Sequence, residues 1–337
     1  MSSAARRPVR TLSALAAASA LTLAMTACGS DKGSTSSSSS STSSSAGGTS
    51  AVTDGKIADV KATGGDDKTA PKLELKTPFG VAAYASTVLK KGSGTPTDDK
   101  SIAVVKYTLV NGTDGKVIDE TYSAKETGFD VGDATLISGL RKALTGVTKG
   151  SRVVAALPPA EAFGDQGNAQ IGVKGTDTVV FLFDVVNVAT KLPEAEGTAV
   201  TPTAKNLPEV TFESGKQASF TMPKADPPKD LVIQPLIKGK GAKVEQGDTA
   251  VVTYTGALWR NGQIFDSSFK QGPTASFSFP VGAGRVVAGW DKGIEGQTVG
   301  SRLLLIVPPK DGYGDKGQGE IKGTDTMVFV VDILAKY

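Results

Sequence analysis

The chain has 337 residues, 39% of them hydrophobic, with 40 Gly, 17 Pro, one Cys and no His. Its formal net charge of +3, from 37 basic and 34 acidic side chains, is too balanced for a dedicated nucleic-acid surface. Without His there is no Ser-His-Asp relay, Cys-His pair, His-ligated zinc or proton shuttle near neutral pH, and a single Cys excludes an internal disulfide or thiolate cluster; no metal or cofactor is expected.

Arg6, Arg7 and Arg10 precede residues 11–27, a run made wholly of Ala, Leu, Ser, Thr and Met. A basic start, an apolar run and small residues before a cut site describe an export signal, and the run is too short and Ala-rich to span a bilayer. The only cysteine follows at once. The ending Met25-Thr26-Ala27-Cys28 resembles the lipobox of bacterial lipoproteins. That implies a lipidated Cys28 and a place at the cell membrane, lipid-anchored on the extracytoplasmic face. An ordinary secreted protein with an incidental Cys is the competing reading. Residues 34–45 are all Ser or Thr, a composition that buries nothing and stays disordered. The expected boundaries are a signal peptide over 1–27 and a Ser-rich flexible tether over 28–70, with order starting near Pro71.

Beyond the tether the chain repeats itself. Lys91-Gly92-Ser93-Gly94 and Ala103-Val104-Val105-Lys106-Tyr107-Thr108 return as Lys238-Gly239-Lys240-Gly241 and Ala250-Val251-Val252-Thr253-Tyr254-Thr255, an offset of 147 that Asp119 and Asp266 keep. Pro158-Pro159 and Pro308-Pro309 are 150 apart, and Gly175-Thr176-Asp177-Thr178 and Gly323-Thr324-Asp325-Thr326 are 148 apart. A nearly constant offset means one module copied twice, joined by a Pro-, Glu-, Ala- and Thr-rich linker over 191–208.

In each copy β-branched runs (102–109, 249–256) and a hairpin signal (Asp114-Gly115, Asn261-Gly262) predict strands. So do the apolar runs stopped by Pro-Pro (151–157, 301–307) and the Val/Phe-rich final stretches (178–188, 326–334). One helix is predicted per copy, because Val286, Val287, Trp290 and Ile294 form an apolar stripe, as do Leu136, Ile137, Leu140 and Leu144. The expected fold class is α+β: two domains, 71–190 and 209–337, each a curved antiparallel β-sheet wrapped around a short α-helix.

The second copy carries Val252-Thr253-Tyr254-Thr255-Gly256, Asn261-Gly262-Gln263-Ile264-Phe265-Asp266-Ser267-Ser268 and Val286-Val287-Ala288-Gly289-Trp290. Val299-Gly300-Ser301-Arg302, Pro308-Pro309, Gly312-Tyr313-Gly314 and Met327-Val328-Phe329 follow. In order and spacing, from about Leu231 to Tyr337, it resembles the FKBP-type, or immunophilin, peptidyl-prolyl cis-trans isomerases. A weaker copy of the pattern runs from about Val88 to Ala189. The resemblance implies a pocket with Trp290 as the floor under a proline ring, Tyr254, Phe265, Phe277 and Phe329 as walls, Val286 along the edge and Ile321 closing the rim. It implies that the Val287 N–H binds one substrate carbonyl and the Tyr313 hydroxyl a second, while Asp266 orients polar groups near the amide. Implied partners are proline-containing unfolded or exported polypeptides, with macrolide immunosuppressants as a further ligand class. Rotation about a peptide bond meets a barrier of roughly 18–20 kcal/mol because amide resonance is lost. The twisted transition state carries less charge separation, so an apolar, water-poor pocket favours it without any imidazole.

Two departures touch the rim: Glu320 stands where the family usually has an aliphatic residue, and the loop between Ser268 and Phe277 is long. The first copy departs more deeply. Tyr107 and Asp119 persist and Phe181 matches Phe329, but Ile118 and Thr127 replace two wall phenylalanines, Leu140 replaces the floor Trp, and Phe163 lacks the Tyr hydroxyl. Of 20 aromatic residues, 12 lie in 191–337, including both Trp. Catalysis is therefore expected mainly in the C-terminal domain, and 71–190 reads as degenerate, either weakly active or a binding and spacing module. The alternative for the whole chain is a non-catalytic chaperone or protein-binding surface lipoprotein. A pair of adhesion sandwiches on a stalk explains the tether but not the Gly-Trp and Gly-Tyr-Gly spacing.

Overall fold

The β-branched and Pro-bounded runs fold as strands. A computed structural model describes residues 54–66 and 68–337; the export signal, Cys28 and the Ser/Thr tract lie outside them. The first module comprises β1 (Lys61–Thr63), β2 (Lys72–Glu74), β3 (Ala85–Lys90), β4 (Ser101–Asn111), β5 (Val117–Glu120), β6 (Thr127–Asp130), α1 (Ser138–Leu144), β7 (Arg152–Leu157) and β8 (Val179–Thr190). The second opens with β9 (Gly197–Ala199), β10 (Glu209–Thr211), β11 (Ser219–Thr221) and β12 (Val232–Gly239). It continues with β13 (Thr249–Leu258), β14 (Ile264–Ser267), β15 (Phe277–Pro280), α2 (Ala288–Ile294), β16 (Arg302–Val307) and β17 (Met327–Lys336).

Each module is built on an antiparallel sheet. The first runs β3-β7-β8-β4-β5, with β6 also on β4; the second runs β14-β13-β17-β16-β12-β9, with β15 also on β13. Register irregularities fall at matching places, between Val104 and Val105 in β4 and between Val251 and Val252 in β13. Such bulges bend a strand and sharpen its twist, which lets the sheet curve around its helix. Gly115 and Gly262 both take positive φ, 73° and 71°, as the predicted hairpin turns require.

The helices start later than the apolar stripe suggests. Ile137 and Val287 are the non-helical residues just before α1 and α2, so Leu136, Val286 and these two contribute side chains from the approach to each helix. On the α2 side, Trp290 and Ile294 pack with Leu303, Leu305, Val307 and Phe329.

The opposite faces of both sheets are also covered, which the sequence reading did not anticipate. The hairpin β1–β2 and residues 57–81 bury Val154, Ala156, Val180 and Leu182. The hairpin β10–β11 does the same over Leu304, Ile306, Val328 and Val330. Packing ahead of Pro71 is thus extensive among the described residues: Asp54 bridges to Val81, and Val60 is buried with Phe79 and Val81 on the apolar face of the sheet. The expected linker is likewise partly sheet: β9 pairs with β12, Ile237 opposite Ala199.

The modules meet along a seam. Ile102 and Val104 of β4 pack with Val251 and Ala335 and with Tyr337. The Gly128 N–H donates to the Tyr337 hydroxyl at 3.1 Å, and the ring lies so close that a Cβ at Gly128 would sit 2.3 Å from it. Leu192 N–H donates to the Leu334 carbonyl at 3.0 Å, and Lys125 Nζ donates to the Gly247 carbonyl.

Candidate active site

Strand β13 supplies the hub of the second-module site. The Tyr254 side chain leaves the concave face, and its hydroxyl donates to Asp266 Oδ2 at 2.6 Å. Asp266 is on the neighbouring β14, with Gly256 opposite it in register. Burial, and then the bond to Asp266, hold the Tyr254 phenol above its ordinary value of 10.0, so it remains a protonated donor. Asp266 is half-exposed, and Lys270 Nζ lies 3.5 Å from its other oxygen. The long loop after Ser268 is partly a short 3-10 turn, Ser268–Gln271, capped by the Ser267 hydroxyl accepting from the Phe269 N–H.

Around Tyr254 the rings form one cluster. Trp290 is 4% exposed and meets Tyr254 at 5.1 Å, Phe329 at 5.3 Å and Phe277 at 6.1 Å, each edge to face. Phe265 meets Phe329 at 5.6 Å in the same way. These T-shaped contacts set the positive ring edge against the negative face. Trp290 Nε1 is buried with no hydrogen-bond partner among the described residues, an unmet donor in an otherwise apolar floor. Phe277 is 39% exposed, so the cluster opens to solvent at this ring, and Tyr313 is 38% exposed.

The remaining predicted residues lie around that opening. Val286 and Val287 are half-buried against the cluster, and the Val287 N–H has no acceptor among the described residues, as a donor at the start of a helix commonly lacks one. Ile321 is buried, its N–H bonded to Gln318 O and its carbonyl to Gln318 N–H. Tyr313 ends a turn tied to the helix by Lys292 Nζ and Asp311 at 2.6 Å; burial and then the Asp266 charge push its phenol upward. The exposed Glu320 accepts from Gln263 Nε2 at 2.8 Å.

Two residues of the site went unread in the sequence. Phe279, fully buried, stacks on Phe277 at 5.8 Å and meets Trp290 at 5.6 Å; the Phe-Ser-Phe alternation puts both rings on one strand face. Gly256 is the other, because a Cβ there would lie 2.8 Å from both Phe265 and Phe329.

The family model for FKBP-type peptidyl-prolyl cis-trans isomerase matches residues 93–186 and again 240–334. The chain belongs to that family. An FK506-binding protein of Streptomyces anulatus is 38% identical over 130 residues, 38% of this chain and 95% of the relative. A probable FK506-binding protein of Corynebacterium glutamicum is 38% identical over 120 residues, 36% of this chain and 98% of the relative. Among solved structures, the three FKBP domains of wheat FKBP73 align with 76% of this chain and 95% of theirs, at 20% identity and a TM-score of 0.31.

Within the FKBP frame the first module keeps the polar pair and Phe181, the counterpart of Phe329, and changes the floor, two walls and the rim hydroxyl. The Tyr107 hydroxyl donates to Asp119 Oδ2 at 2.5 Å, and Leu109 stands opposite Phe181 as Gly256 stands opposite Phe329. The Leu109 side chain takes the space that a Phe265-like ring would need, and Ile118 is correspondingly smaller. A pocket of about 130 Å³ lies among Leu109, Phe129, Ile137, Leu140, Phe163 and Phe181, with Leu140 where the second module has Trp.

Proposed function

We propose that the protein accelerates cis-trans rotation of X-Pro bonds in exported polypeptides, with catalysis mainly in the C-terminal domain. The observation that carries this is the ring cluster on Trp290 beside the Tyr254–Asp266 pair. A proline ring seated on Trp290 between Phe277, Phe329 and Tyr254 leaves water, and the imide is surrounded by apolar faces that favour its less dipolar, twisted form. The free Val287 N–H at the start of α2 holds one flanking carbonyl, and Tyr313, at the open side, the other. Asp266 holds the Tyr254 hydroxyl and presents its second oxygen near the amide. Val286 and Ile321 close the sides against solvent.

The first module, with an aliphatic floor and no rim hydroxyl, binds apolar segments with little turnover. Lipidation of Cys28 places both modules outside the cell membrane, where newly exported chains pass, and the same aromatic pocket accepts macrolide immunosuppressants. The decisive measurement is cis-to-trans turnover of a short X-Pro peptide by the full chain and by Trp290→Leu. A wild-type rate no faster than buffer, with retained binding of unfolded chains, leaves the chaperone reading in its place. Cys28→Ala is expected to move the protein out of the membrane fraction; retention there removes the anchor.

A further inference from the structure

At the seam, the linker residue Lys191 and Asp130, the last residue of β6, form an ion pair whose side chains are only 9% and 11% exposed. Burying two charges is costly unless further hydrogen bonds satisfy them; one comes from the Gly132 N–H, which donates to Asp130 Oδ1 at 3.1 Å, and two more join the pair to the second module. Lys191 Nζ donates to the Thr274 carbonyl at 3.2 Å, and Ser276 Oγ donates to Asp130 Oδ2 at 3.3 Å. Ser276 leads directly into Phe277, the exposed wall of the ring cluster.

Strand β15 has four residues and ladders on β13 alone. The loop before it is held within itself only by weak turn bonds, Gly272 N–H to Phe269 O at 3.2 Å and Ala275 N–H to Gly272 O at 3.3 Å. The approach to Phe277 is therefore clamped from the other module. We propose that Asp130 and Lys191 are positioning residues for the second-module pocket: their ion pair fixes Thr274 and Ser276, and through them the Phe277 wall, so the first module sets the turnover of the second. This rests on the isomerase reading above.

Removing one charge would strand the other in a buried place, so the test in the full chain is the double variant Asp130→Asn/Lys191→Met. Ser276→Ala is a milder cut that leaves the ion pair intact, and Lys191→Arg keeps the charge. Initial rates on a short X-Pro peptide are measured across substrate concentration, with near-UV circular dichroism reporting the ring cluster and far-UV the fold. The double variant is expected to lose about three- to tenfold in kcat/KM, mostly through KM, and Ser276→Ala about twofold. The near-UV band should change while the far-UV spectrum stays native, and Lys191→Arg should retain the wild-type KM. If the double variant does not fold, Ser276→Ala decides. An active wild-type chain whose folded variants keep wild-type kcat/KM and near-UV spectrum overturns the positioning role alone. An inactive wild-type chain overturns the isomerase reading and this role with it.

Discussion

The two modules share a sheet order, bulge positions and a Tyr–Asp hydrogen bond, yet they present different pockets. Gly256 admits the Phe265 and Phe329 rings in the second, whereas Leu109 fills that space in the first. Trp290 closes the second floor with aromatic edges, and in the first Leu140 lines a pocket of about 130 Å³. The Tyr–Asp pair is thus not what separates them: Tyr107–Asp119 and Tyr254–Asp266 are 2.5 Å and 2.6 Å bonds. The sheet fixes the frame, and the side chains on its concave face decide what surface a ligand meets.

The comparison can be tested from stability down to single bonds. The largest difference is expected at the matching arginines. Arg302 and Asp332 form a bidentate pair with side chains 14% and 8% exposed, against 20% and 25% for Arg152 and Asp184. Arg302→Met should cost about 3–5 kcal/mol by leaving a buried carboxylate alone, and Arg152→Met less; equal losses in urea unfolding would show that burial is not the cause. Next, Trp290→Leu gives the second floor the first module's side chain. Losing roughly 1.5–3 kcal/mol of apolar contact in the transition state corresponds to about ten- to hundredfold in kcat/KM, and undiminished turnover would discard Trp290 as the floor. Tyr254→Phe removes one hydrogen bond, worth about 0.5–1.5 kcal/mol, and should lower turnover severalfold, while Tyr107→Phe leaves it unchanged. A matching loss in both places the chemistry in both modules.

The smallest effect is at high pH. Burial, then the bonded carboxylate, hold both Tyr107 and Tyr254 above their ordinary 10.0. The folded chain therefore keeps protons that the unfolded chain has lost, so stability is complete below about pH 10 and declines as pH rises toward the folded-state values. Unfolding midpoints that stay level above pH 10 would show that these phenols are not buried as described.

The correspondence between the modules followed from the repeat because paired motifs such as Tyr107 and Tyr254 mark matching strands, and the Pro-Pro stops locate β7 and β16. The rings came from the family resemblance of their motifs, and the structure brings Tyr254, Phe265, Phe277, Trp290 and Phe329 into one cluster. The outer hairpins were not legible, since Val210, Phe212, Phe220 and Met222 are scattered among polar and turn residues and give no clear period. Nothing in the predicted strand 249–256 explains why it ends on Gly256; the two rings packed over it do. The seam was invisible for another reason. Lys191 and Asp130 are 61 residues apart, and their partners Thr274 and Ser276 lie in the second module; nothing local distinguishes the two from solvated charges.

The outer hairpins carry a consequence for assembly. Two modules of one pattern on one chain invite exchange, in which a hairpin docks on its neighbour's sheet while both are still open. Their undersides are keyed differently. The first sheet offers Val154, Ala156 and Val180 to Phe79 and Val60, and its Arg152 reaches the Gly64 carbonyl at 3.0 Å. The second offers Leu304, Ile306 and Val328 beneath Trp259 and Phe220, and its Arg302 stacks 3.8 Å over the Phe212 ring. A misplaced hairpin would bring the wrong bulk to an apolar floor and leave an arginine without its partner. The same divergence that separates the two pockets on the inner faces therefore also makes the two outer faces chemically distinct partners for their hairpins.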